Sequence, residues 1–119
     1  MKFEKSKLEP VEIEINGTKY PARLPFRACV ELEEMFNMSF LKVFDKFADM
    51  GATAEEITSV LYVILKHGGV ELEKEDLLDI EFSIDVMEGI SAVLMRASKV
   101  VSKLQGQSDA GKLPAPMTG

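Results

Sequence analysis

From Val11 the chain alternates strictly: Val11-Glu12-Ile13-Glu14-Ile15 sends apolar side chains to one side and carboxylates to the other, the period of a half-buried strand. Asn16-Gly17 follows, the favoured pair for a type I′ turn, in which both central residues need positive φ. Thr18 to Leu24 then returns as a second strand. A two-residue loop fixes the register: Ile15 faces Thr18, Ile13 faces Tyr20 and Val11 faces Ala22. Val11, Ile13, Tyr20, Ala22 and Leu24 therefore share one face. Pro21 falls opposite Glu12 at a non-hydrogen-bonded pair, with its missing N–H directed away from the first strand. The pattern predicts a hairpin whose second strand is a free edge.

After Pro25 the period changes to that of helices. The first opens on Pro25 and ends near Asn37, with Phe26, Cys29, Leu32 and Phe36 in one stripe. Ser39 caps a second helix that Gly51 closes; its apolar positions are Phe40, Leu41, Val43, Phe44 and Phe47, and the three phenylalanines are read as core in preference to a peptide groove. Thr53-Ala54-Glu55-Glu56 is a capping box opening a third, with Ile57, Val60, Leu61, Ile64 and Leu65 at helical spacing and Gly68-Gly69 at its end. A short helix is predicted over Lys74–Ile80. Ser83 caps the last and longest, which runs to about Gln105. There Val86, Ile90, Val93, Ala97, Val100 and Leu104 form a heptad-like stripe, with Met87, Leu94 and Val101 on an adjoining line. A stripe this wide can serve both the core and a second protomer, so these six residues are the candidate partner-binding surface, and self-association is expected. Gly89 inside this helix should weaken it by roughly 1 kcal/mol relative to Ala.

The fold class is thus α+β: an N-terminal β-hairpin, four to five mostly amphipathic α-helices and a disordered C-terminal tail. The expected division is a flexible N-terminus over 1–9, one α+β domain over 10–105 and a disordered tail over 106–119, where Gly, Ser, Pro and Ala dominate.

Charge narrows the partners. The 119 residues carry a formal net charge of -6, which disfavours nucleic acid and anionic membrane surfaces. The single cysteine, Cys29, forms no internal disulfide and suits a reducing cytoplasm. The first ten residues alternate Lys and Glu with no apolar stretch, so neither a signal nor a transit peptide is expected, and the longest apolar runs fall well short of a membrane span. Candidate chemistry is sparse. One Cys and one His do not make a zinc site. A Cys29–His67 nucleophile–base pair is outweighed by Cys29 as a packed small hydrophobe and His67 as a cation at a helix C-terminus. The acids between Glu71 and Glu88 lack the Gly and the ligand spacing of a calcium loop, and read as a solvated face or a docking face for a basic partner. Gly68-Gly69 has no phosphate-loop context. No catalytic, cofactor or metal residue is predicted; the expected class is a non-enzymatic binding protein, against the alternative of a generic small acidic interaction module or regulator.

The succession of elements resembles a family. The hairpin on Asn16-Gly17, Tyr20 to Leu24, Pro25-Phe26-Arg27-Ala28 leading to Leu32-Glu33, Asn37-Met38-Ser39-Phe40, the helix ending in Gly68-Gly69 and the acidic short helix together resemble the tail assembly chaperones of long-tailed bacteriophages, gene transfer agents and prophages. The resemblance spans roughly residues 10 to 104. It implies a chaperone that binds and solubilises the tape measure protein in the bacterial host cytoplasm, self-associates and is absent from the mature virion. It further implies a longer form made by ribosomal frameshifting that recruits the tail tube protein; Gly111-Lys112 is the candidate slippery dipeptide.

Overall fold

The computed structural model of the chain describes residues 8–109. Strands β1 (Val11–Ile15) and β2 (Thr18–Ala22) pair antiparallel in the expected register, Val11 with Ala22 through Ile15 with Thr18. Asn16 (φ 53°) and Gly17 (φ 84°) make the turn. The alternation is realised in space: Ile13, Ile15 and Ala22 are buried, whereas Glu12 and Lys19 are exposed.

Five helices follow: α1 (Phe26–Phe36), α2 (Phe40–Ala48), α3 (Ala54–His67), α4 (Lys74–Leu78) and α5 (Ile84–Asp109). The caps behave as their residue types dictate. Ser39 Oγ accepts from the Lys42 amide, Ser83 Oγ from the Val86 amide, and Thr53 and Glu56 close a reciprocal capping box. A second such box, Glu73 with Asp76, opens α4. Glu33 does a related job across a turn: its carboxylate accepts from the Phe40 amide at 2.8 Å, tying α1 to the first turn of α2.

The core lies where α3 passes beneath the hairpin. Val60, Leu61, Val63, Ile64 and Leu65 are all buried there, packed with Ile13, Leu32 and Ile90. Phe36 stacks on Phe47 with ring centroids 6.4 Å apart, which holds α2 against the same core. Phe40 and Phe47 pack on this cluster; Phe44 is half-buried.

Five expectations are corrected. On α1 the buried residues are Ala28 and Leu32, with Phe36 partly buried beside them, and Phe26 is 92% exposed, because the helix is rotated to centre Leu32 on α3. Gly51 does not make the left-handed turn after α2; Met50 does, at φ 59° and almost fully exposed. The outer side of β2 is covered at its far end. There the Arg23 amide donates to the Ile64 carbonyl at 2.9 Å, and Gly68 lies against the Pro21 and Ala22 backbone with no space for a Cβ. Gly89 is likewise a close approach: an added Cβ would stand 2.6 Å from Cγ1 of Ile13, so the residue lets α5 lie on β1. Finally, α5 continues through Gly106 to Asp109, past its expected end near Gln105. Residues 1–7 of the predicted N-terminal segment and residues 110–119 of the predicted tail, with Gly111-Lys112, lie outside the described residues. Leu8 and Glu9 are tied by their carbonyls to the guanidinium groups of Arg23 and Arg96.

Candidate interaction surfaces

The six-residue stripe on α5 divides in two. Val86, Ile90 and Val93 are buried in the domain's own core, Val93 at 3% exposure. Ala97 is half-buried, and Val100 is 60% exposed. Val93 and Val100 are seven residues apart and so lie on nearly the same line of the helix. The jump in exposure along that line marks where the body ends and the helix continues. Arg96, one turn earlier, donates to the Glu9 carbonyl at 2.8 Å and pins α5 to the chain entering β1. From Ala97 to Asp109 the helix adds about 20 Å at 1.5 Å per residue. The side chains of Val101 and Leu104 lie outside the described residues. The division gives the first half of the stripe to intramolecular packing and leaves, among the described side chains, Ala97 half-buried and Val100 exposed.

Elsewhere the exposed large apolar residues include Phe26, Val30 and Met35 on α1, Leu41 on α2, Met95 on α5, and Leu78, Phe82 and Ile84 around the α4–α5 junction.

The candidate chemical pair does not assemble. His67 turns its Nε2 to the Glu31 carboxylate at 3.1 Å, and Lys66 holds the other oxygen of the same carboxylate at 2.9 Å. Cys29 sits two positions before Glu31, about 200° around the helix, on a different side of α1. Burial pushes the Cys29 thiol up, and the charge of Glu33 adds to this, so the thiol stays protonated. Glu31 is drawn below its ordinary value, first by the Lys66 hydrogen bond and then by His67, and Lys66 is raised in return. These are signs of an α1–α3 clamp: a carboxylate shared between two side chains at the C-terminal end of α3. Among the described residues no three His, Cys, Asp or Glu side chains converge as a metal site. Nor is any helix there long and apolar enough to cross a membrane.

Comparison with known proteins places the chain among phage tail proteins. It belongs to the family described as phage tail tube protein, GTA-gp10, whose model matches residues 10–104, from the residue before β1 to within the free half of α5. No curated protein and no solved structure matches it. The family confirms the tail association that the sequence resemblance implied; its description names a tube protein rather than an assembly chaperone.

Proposed function

We propose that the protein is a non-enzymatic tail assembly chaperone that holds the tape measure protein soluble in the host cytoplasm and leaves before the virion is complete. The observation that carries this reading is the free half of α5. A helix that presents Ala97 and Val100 beyond its own core offers a ready groove partner for an amphipathic helical client. The acidic body supports the role, since a net charge of -6 keeps a complex with an aggregation-prone chain dispersed. The same helix end is the surface through which we propose self-association, and a frameshifted longer form would bring in the tail tube protein. Family membership favours this phage role over a generic interaction module. Pull-down of a tape measure fragment by the full chain tests it: binding supports the chaperone reading, and its absence with a folded chain opposes it.

A second reading, a structural subunit of the tube, is favoured by the family description itself. A tube subunit stays in the particle and makes permanent, heterologous contacts between copies. Mass spectrometry of purified tails separates the two: a stoichiometric presence identifies a tube component, and absence identifies an assembly factor.

A further inference from the structure

Between the hairpin tip and the segment entering α4 lies a groove of about 300 Å³. Ile15, Leu65 and Leu77 are buried at its base, and Val70, Leu72 and Ile80 are partly buried around it. Glu71 and Asp76, both exposed, stand on its rim. Asp76 uses one oxygen to cap α4 through the Glu73 amide, and Glu71 has no cationic partner among the described residues. Lys74 is the sole basic residue between Glu71 and Glu88, and its ammonium is turned toward Glu55 at 3.9 Å. An apolar depression thus carries two carboxylates on its rim, and neither makes an ion pair among the described residues.

We propose that this groove seats one bulky apolar side chain from a partner protein in a segment where Lys or Arg residues flank it. Charge complementarity decides the flanks. An apolar insert with acidic neighbours would bring like charges together at the rim, whereas a basic-flanked one lowers the field of the carboxylates as it is desolvated. The size suits a single large residue, since about 300 Å³ is the lower end of the range for binding pockets. The site is separate from the free half of α5 and goes beyond the function proposed above.

The test is an NMR titration of the isotope-labelled full chain with acetyl-Lys-Lys-Phe-Lys-Lys-amide. Expected are amide shifts concentrated at Thr18, Tyr20, Val70 to Leu72 and Leu77, and binding that weakens as salt shortens the Debye length. Replacing Lys by Glu in the peptide, or Phe by Ser, should remove the shifts. Glu71→Lys, a change at an exposed position, should weaken the Lys-flanked peptide about fivefold. Equal shifts from the Glu-flanked peptide, or an undiminished response from the Ser peptide, overturn the proposal. Phe3→Ser in the full chain should leave the affinity unchanged. A fivefold gain would assign the groove to the chain's own Lys2-Phe3 segment and equally overturn it.

Discussion

Replacing Gly89 by Ala pits two effects of opposite sign against each other. Helix propensity alone favours Ala by about 1 kcal/mol in a helix interior. The structure opposes it. The new Cβ would stand 2.6 Å from Cγ1, 2.8 Å from Cγ2 and 3.0 Å from Cβ of Ile13. Carbon atoms pack at about 3.5–4.0 Å, so the two elements must part by roughly 1 Å. Ile13 cannot yield by changing rotamer, because its Cβ is itself too close and its side chain is 0% exposed. The helix must lift, and Val86, Ile90 and Val93 lift with it. Overpacking of this kind costs about 1–3 kcal/mol and outweighs the propensity gain, so Gly89→Ala should destabilise by up to about 2 kcal/mol net. Urea unfolding followed by far-UV circular dichroism reads this as a lower midpoint with an unchanged slope. Ile13→Ala removes the two closest atoms and costs about 2–5 kcal/mol by itself. On that background Gly89→Ala should turn neutral or stabilising. If Gly89→Ala raises the stability of the otherwise unaltered chain by the propensity amount, the close approach of α5 to β1 is refuted.

Met50 holds a left-handed conformation that costs a non-glycine residue roughly 1–2 kcal/mol. Its side chain is 91% exposed, so Met50→Gly should stabilise by about 1 kcal/mol with no packing lost, seen as a raised urea midpoint. For Glu31 the sign follows from its lowered folded-state value. The unfolded chain binds the proton first, so the clamp to Lys66 and His67 contributes fully above about pH 4.5 and is lost as pH falls below that, through the folded-state value. Unfolding midpoints measured from pH 6 to 3 should therefore fall less steeply in Glu31→Gln than in the unaltered chain; parallel curves would contradict the clamp.

The hairpin was legible to the residue, because the Asn16-Gly17 turn and the strict alternation each fix the register and agree. The caps at Ser39, Thr53 and Ser83 were legible for a similar reason: they depend on a few neighbouring residues. What escaped reading depends on how elements approach one another. Phe26 fits an apolar stripe by spacing, yet the rotation of α1 is set by Leu32 meeting α3. Gly68 and Gly89 look like a helix end and a weak point, and only the placement of Pro21 and Ile13 reveals them as contact sites. The division of the α5 stripe also needed the third dimension. Val93 and Val100 are the same residue type on the same line, and only the extent of the body separates core from surface.

The most direct measurement of the central claim is co-expression of the full chain with a tape measure fragment, reading the soluble fraction of the fragment. The unaltered chain should raise that fraction. Val100→Asp, which changes an exposed position outside the core, should abolish the gain while its own unfolding midpoint stays the same. A fragment equally insoluble with and without the chain, or equally well solubilised by Val100→Asp, would contradict the account of α5 as the chaperone's grip.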